Sequence, residues 1–177
     1  MNRDEMVGII SRQINPDLLV DHLTNHPVKI NYLAELALDE TKQANWRAAW
    51  VLDKLNARRP DLVSPYIPKI IKAVQKTRNK SKLRHFLKLI SLHPIPVKSQ
   101  GFLFNYCTDC FSSPNSPIAV KSNALQVLYE ISKGIPELEQ ELIHLIETGI
   151  DLHATAGIKA RSRNILSRLY KDGGQRR

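Results

Sequence analysis

The chain has few of the residues that staple small folds or build common cofactor sites. Only two of its 177 residues are cysteine and seven are glycine. Cys107 and Cys110 lie too close together to tie distant segments, so no disulfide framework is predicted and a reducing compartment fits. Few glycines leave few phosphate-cradling turns, and the chain contains no P-loop, G-x-G-x-x-G or G-x-S-x-G motif. No catalytic motif therefore recommends an enzyme.

Long apolar runs and metal-ligand clusters are also missing. No run approaches the roughly 18 apolar residues of a membrane span, so no membrane partner is predicted. The first residues, MNRDEMVGIISRQ, are acidic and only briefly apolar, unlike a secretory signal or transit peptide. The six histidines, His85 among them, are scattered without H-E-x-x-H spacing. We expect a cytoplasmic protein without a metal or another cofactor.

The positive charge of the chain is concentrated in two segments. The net charge is +9, and apolar and charged residues make up 42% and 24% of the chain, as in ordinary globular proteins. Residues 56–100 hold eleven basic residues against the single acid Asp61, and residues 151–177 hold seven against two. Residues 1–55 and 101–150 are acidic. This distribution favours an anionic partner without identifying it.

Helical periodicity dominates the chain. Apolar residues recur at spacings of three and four, and no run of strands joined by hairpin turns is present. The pattern predicts helices at 3–13, 16–25, 28–39, 41–57, 64–78, 80–92, 99–112, 117–133, 136–149 and 155–170.

A constant offset of 38 residues brings four of these helices into register. The matched residues form one apolar stripe on each helix. They are Val51, Leu89, Val127 and Ile165; Leu52, Ile90, Leu128 and Leu166; Ala48, Phe86, Ala124 and Ser162; and Leu55, His93, Ile131 and Leu169. His93 is the departure, and it indicates that the second helix ends early, before Pro94.

These helices resemble the second helix of the HEAT repeat, which carries a basic residue followed by small and aliphatic residues. The similar stretches are WRAAWVL at 46–52, VKSNAL at 120–125 and KAR at 159–161. Together with SPIAVK at 116–121 and PEL at 136–138, they are also similar to a bacterial family of small HEAT-like proteins. The resemblance covers about residues 28–170, and it departs most at Phe86, which replaces a small residue. It implies a fold and no activity.

The resemblance implies an all-α fold, a short right-handed α-α superhelix of HEAT-like or armadillo-like helix pairs. One pair cannot bury its apolar sides alone, so neighbouring pairs are expected to stack. We expect a single domain at 1–170, with capping helices in 1–26 and repeats at about 27–57, 61–93, 98–133 and 135–170. Residues 171–177 are expected to form a mobile tail, because Gly173 and Gly174 end the last helix and no apolar residue follows.

Trp46 and Trp50 lie one turn apart, away from the apolar stripe of their helix. Residues in register with them are polar or small, and second helices line the concave surface of a HEAT solenoid. The predicted binding strip consists of Trp46, Trp50, Asp53, Arg84, Lys88, Gln126, Tyr129 and Asn164. Alternatively, the N-terminal helices fold over the two tryptophans and bury them, as is usual for large aromatic side chains.

A second candidate surface is basic. Lys69, Lys72 and Lys76 recur at helical spacing opposite apolar residues, and Arg84 and Lys88 follow them. These five residues could contact a phosphate backbone without reading base sequence, with a tryptophan stacking on a base. The alternative is a solvated helix face that keeps the protein soluble.

Two further motifs have structural interpretations. Arg47 and Arg161 occupy equivalent repeat positions, and in HEAT-like families such residues commonly bridge neighbouring repeats. Cys107 and Cys110 form a C-x-x-C inside an amphipathic segment, without the further ligands of a zinc site or the strand of a thioredoxin motif. Buried free thiols are therefore predicted, with a redox or metal role as the alternative.

The function predicted from the sequence is a binding or scaffold module rather than an enzyme, with a protein partner on its concave surface. Sequence-independent nucleic-acid binding by the basic residues is the alternative. A lesser alternative is a HEAT-like DNA glycosylase, because that class pairs aromatic residues with an Asp, and Trp46, Trp50 and Asp53 are residues of these types.

Overall fold

The structure is a computed structural model that describes residues 3–12, 15–149 and 155–174. All regular secondary structure in these ranges is helical, which confirms the all-α prediction. The α-helices are α1 (Arg3–Ser11), α2 (Pro16–Asn25), α3 (Ile30–Leu38), α4 (Asn45–Arg58), α5 (Pro60–Val63), α6 (Ile67–Val74), α7 (Lys80–Ser91), α8 (Val97–Ser112), α9 (Ile118–Ser132), α10 (Pro136–Gly149) and α11 (Ala156–Gly174). In the described ranges, none of these helices combines the length and the apolar character that a membrane crossing requires.

Several predicted helices have different boundaries in the structure. The helix predicted at 64–78 is divided into a 3-10 turn at Ser64–Tyr66 and α6, because Pro65 and Pro68 interrupt the hydrogen-bond ladder. The helix predicted to begin at 41 begins at Asn45 instead. The Asp39 carboxylate accepts hydrogen bonds from the backbone N–H and the hydroxyl of Thr41, at 2.9 and 2.6 Å, and so holds the preceding loop in a non-helical turn.

The helices form two compact units, Met1–His93 and Pro94–Arg177. In the first unit α3 and α7 pack against α4, α6 packs against α7, and α1 and α2 contact α4. In the second unit α8, α10 and α11 pack against α9, and α10 also contacts α11. The expected helix pairs are therefore present within each unit, while the single domain at 1–170 and the right-handed superhelix stay predictions.

The apolar stripe predicted from the 38-residue offset is the core of both units. Val51, Leu89, Val127 and Ile165 are all buried, and so are Ala48, Phe86, Ala124 and Ser162. Each buried aliphatic side chain contributes on the order of 2 kcal/mol to folding. His93 departs from the stripe, as predicted, because α7 ends at Ser91.

The last helix is longer than predicted. Residues 171–174 were expected to belong to a mobile tail, but α11 continues through Lys171 to Gly174. No proline interrupts this segment, so nothing prevents the helix from continuing to the glycine pair. Residues 175–177 of the predicted tail lie outside the described residues.

Candidate functional site

The two tryptophans lie on α4 beneath the N-terminal helices, and both remain half-buried. A cavity of about 280 Å³ separates them from α1 and α2, and its lining includes Ile9, Pro16 and Leu19. The N-terminal helices therefore border the tryptophans without burying them completely.

A cation lies over each tryptophan ring. The guanidinium carbon of Arg47 is 5.1 Å from the ring centroid of Trp46, and the Lys54 ammonium is 5.6 Å from that of Trp50. Arg47 Nη1 also donates to the Ser11 carbonyl at 3.0 Å, and Lys54 Nζ donates to an Asp17 carboxylate oxygen at 3.2 Å. Since these partners belong to α1 and α2, the cations connect the rings to the N-terminal helices.

Asp53, one and two turns beyond the tryptophans, is buried rather than exposed on the predicted strip. The Lys88 ammonium lies 2.8 Å from Oδ1 and 3.0 Å from Oδ2 of its carboxylate, and Nδ1 of His85 lies 3.1 Å from Oδ2. Burial by itself would raise the pKa of Asp53, but the hydrogen bonds and charges of His85 and Lys88 outweigh it, so the net shift is downward. The carboxylate therefore joins α4 to α7.

His85 is the residue of this cluster that the sequence interpretation missed. Its Nε2 accepts a hydrogen bond from Nε of Arg84 at 3.3 Å, while its Nδ1 contacts Asp53. The 38-residue offset places His85 in register with Arg47 and Arg161, which were predicted to bridge repeats. That register was the signal that could have identified it.

The exposed part of this region is what we call the tryptophan strip: Trp46, Trp50, Arg84 and Lys88. Arg84 is exposed, and about half of the Lys88 side chain is accessible. Below these residues, Asp53 neutralises one positive charge. The strip thus presents two fixed aromatic rings next to cationic groups.

The other predicted strip residues lie in the second unit, and two of them, Gln126 and Tyr129, contact α11 from α9. Gln126 donates to Glu130 at 2.8 Å and accepts from Arg161 at 3.0 Å. Tyr129 is buried rather than open, with the guanidinium of Arg168 5.7 Å from its ring centroid. Asn164 is exposed. Within this unit the predicted residues mainly hold α9 and α11 together.

The two arginines of the repeat make the expected bridges. Arg161 on α11 contacts the side chains of Ser122 and Gln126 on α9, the corresponding helix of the preceding repeat. Arg47 reaches Ser11 on α1. Their hydrogen bonds to neighbouring helices confirm the structural interpretation.

The five residues of the predicted basic surface fall into two groups. Lys69, Lys72 and Lys76 are exposed on or just after α6, whose opposite side is buried. Arg84 and Lys88 occupy the narrow exposed side of α7. Since α6 and α7 pack through their buried sides, the two groups project from the pair in different directions.

The C-x-x-C motif lies inside α8, and both of its thiols are free and buried, as predicted. Burial raises the pKa of the Cys107 thiol well above its ordinary value, and Cys110 adds to the shift. Cys107 is therefore a poor thiolate at neutral pH. Across the part of the chain that the structure describes, no three His, Cys, Asp or Glu side chains are grouped so that they could hold a metal ion.

The comparisons with known proteins agree with the helix pairs. A family model described as a HEAT repeat domain matches residues 7–169. No curated protein and no solved structure matches the chain. The matched range reaches from α1 to α11, and within each unit second helices pack against each other at the 38-residue offset. The chain belongs to the HEAT repeat domain family.

Proposed function

We propose that the chain is a non-catalytic binding module that holds a protein partner on the tryptophan strip. The observation that carries this proposal is the placement of the chain's only two tryptophans, side by side and half-exposed, on a second helix of the repeat. Tryptophan and arginine are the residues most enriched at the energetic centres of protein interfaces. HEAT-like repeats use the surface of their second helices to hold other macromolecules.

The chemistry of the strip favours one kind of protein segment. The rings of Trp46 and Trp50 are held by Arg47 and Lys54, so little side-chain freedom remains to be lost on binding. The exposed Arg84 adds a positive charge beside the rings, which attracts a carboxylate. A segment with an apolar side chain next to Asp or Glu would complement these groups.

The Asp53 and His85 pair supports a structural role more than catalysis. Both ring nitrogens of His85 have partners, and Oδ2 of Asp53 contacts both His85 and Lys88, whose ammonium also lies 2.8 Å from Oδ1. A glycosylase-like role would require an accessible carboxylate next to the tryptophans, and Asp53 is only 7% exposed. No observation therefore favours the enzyme alternative.

Site-specific photocrosslinking in cells tests the proposal. A photoreactive residue at Ser81, which shares the exposed side of α7 with Arg84, should give a discrete protein adduct, and one at the exposed Arg163 of α11 should not. Arg84→Glu should remove the adduct, and Trp50→Ala should weaken it. Equal adducts from both positions, or an adduct insensitive to Arg84→Glu in a folded protein, would contradict the proposal.

Binding to the isolated partner can then be followed without a label. Both tryptophans belong to the strip, so the intrinsic fluorescence of the chain reports directly on its occupancy. A bound segment should protect the rings from acrylamide quenching. Unchanged quenching at saturation would place the partner elsewhere on the chain.

A further inference from the structure

A separate row of cations follows the outer side of α6 and the turn after it. We call it the α6 ridge: Lys69, Lys72, Lys76 and Arg78. All four residues are exposed. The opposite side of α6 buries Ile67, Ile70, Ile71 and Val74, so the lysines are held outward by the packing of the helix.

The charge of the ridge is not compensated. In the described residues, none of its four side chains forms an ion pair, and the sequence has no Asp or Glu between Asp61 and Asp109. Several other cations of the same unit are paired. These pairs are Lys54 with Asp17, Arg58 with Asp17 and Asp21, Arg59 with Asp61, Lys82 with Glu40, and Lys88 with Asp53.

The spacing of the ridge suits a linear polyanion. Lys69 and Lys76 are seven residues apart, which corresponds to about 10 Å along a helix axis. Flexible lysine side chains over this length can reach successive phosphates of a nucleic-acid strand. Arg78 extends the row past the end of α6.

The ridge lacks the apolar groups that other anionic partners require. None of the large exposed hydrophobic residues of the described chain lies on α6. A membrane-binding helix would insert such residues between lipid chains, and a protein interface would use them as anchors. A surface that offers only charge matches the phosphate backbone.

We propose that the α6 ridge is a second binding surface, separate from the tryptophan strip, which binds the phosphate backbone of nucleic acid without reading base sequence. The α6 ridge, rather than Arg84 and Lys88, supplies the contacts, because Lys88 is paired with Asp53 and Arg84 donates to His85. This surface does not depend on the protein partner proposed above.

The test compares two triple variants of equal charge. Lys69→Gln, Lys72→Gln and Lys76→Gln remove the centre of the ridge. Lys42→Gln, Lys98→Gln and Lys133→Gln remove three exposed lysines elsewhere. Binding of single-stranded and duplex oligonucleotides of unrelated sequence is measured by fluorescence anisotropy from about 50 to 200 mM salt.

The wild-type protein should bind all oligonucleotides with similar affinity. The ridge variant should lose at least tenfold in affinity, and its slope of log K against log salt should fall by about 2 to 3, because each lost phosphate contact removes about 0.7 to 0.9. The control variant should lose much less. Unchanged melting temperatures show that both variants are folded.

Several results would overturn the proposal. They are equal losses in both variants, no wild-type binding at low salt, and tighter binding to phosphatidylserine vesicles or polyglutamate than to oligonucleotides at equal charge. The ridge variant should keep the photocrosslink from position 81. The failure of one surface is thus distinguishable from the failure of the other.

Discussion

Neighbouring second helices of the two units are joined by different chemistry on the same helical frame. In the first unit, residues 35 apart on α4 and α7 form an ion pair, Asp53 with Lys88. In the second, residues 35 apart on α9 and α11, Gln126 and Arg161, form a hydrogen bond with only one charged partner. The tryptophans of α4 are replaced in register by Ser122 and Gln126. The repeat therefore keeps its helix packing, while the surface chemistry differs from one repeat to another.

Substitutions at the core position shared by residues 48, 86, 124 and 162 should change the free energy of unfolding most. Only Phe86 is large there, so Phe86→Ala leaves a cavity in the first unit and should lower the free energy of unfolding by about 3 to 5 kcal/mol. The reverse change in the second unit, Ala124→Phe, should cost about 1 to 3 kcal/mol through overpacking. Urea denaturation measures both. A cost below about 1 kcal/mol for Phe86→Ala would show that its neighbours collapse into the space.

The two inter-helix bonds should differ in strength. Asp53→Ala removes a buried carboxylate that contacts His85 and Lys88, and it should lower the free energy of unfolding by about 1 to 3 kcal/mol. We keep to this range because the Lys88 side chain is half-exposed and its charge is screened. Gln126→Ala should cost about 0.5 to 1.5 kcal/mol. Double-mutant cycles with Lys88→Ala and Arg161→Ala measure each coupling, and equal couplings would contradict this contrast.

The dependence of stability on acidic pH should differ between substitutions at Asp53 and at Gln126. The pKa of Asp53 is lower in the folded protein than in the unfolded chain, where it lies near 4. The ionised Asp53 carboxylate therefore stabilises the fold fully above the pKa of the unfolded chain. This stabilisation is lost as the pH falls through the pKa of the folded protein. Asp53→Asn should show a shallower loss of stability below about pH 4 than the wild-type protein, whereas Gln126→Ala should leave the slope unchanged. Parallel acid profiles for Asp53→Asn and the wild type would contradict the assigned shift.

The smallest change in the free energy of unfolding is expected for a substitution where the N-terminal helices meet the tryptophan strip. Asp17→Ala removes the exposed partner of Lys54 and Arg58, and it should change the free energy of unfolding by at most about 1 kcal/mol. Lys54 should then leave the Trp50 ring, so acrylamide should quench the fluorescence more strongly. The matched change Asp61→Ala, at another exposed ion pair of the same unit, should leave quenching unaltered.

The helical class of the chain, and the side of each helix that is buried, could be predicted from the spacing of apolar residues along the sequence. A helix with an apolar stripe has to bury that stripe, so the 38-residue register correctly predicted the burial of Val51, Leu89, Val127 and Ile165. The early end of α7 followed from Pro94 in the same way. Helix boundaries were less predictable where side chains compete for the backbone, as Asp39 does before α4.

The candidate site was only partly predictable, because exposure depends on what other segments cover. Trp46 and Trp50 were correctly identified as lying off the core stripe, but their half-burial results from α1 and α2, which are distant in the sequence. Asp53 was placed on the open strip, yet His85 and Lys88 of α7 contact its buried carboxylate. Pairing between segments more than 30 residues apart leaves no local periodic signal.

The amino-acid sequence by itself determined the helical class, the repeat length and the core stripe, because all three depend on the spacing of apolar residues along one helix. Only the tertiary structure decided which charges remain available. Lys88 is neutralised by Asp53 and Arg84 is bonded to His85, whereas Lys69, Lys72 and Lys76 form no ion pair with any described residue. Charge compensation is a property of neighbours in space, and it was packing that brought α4 next to α7 and left the outer side of α6 uncovered.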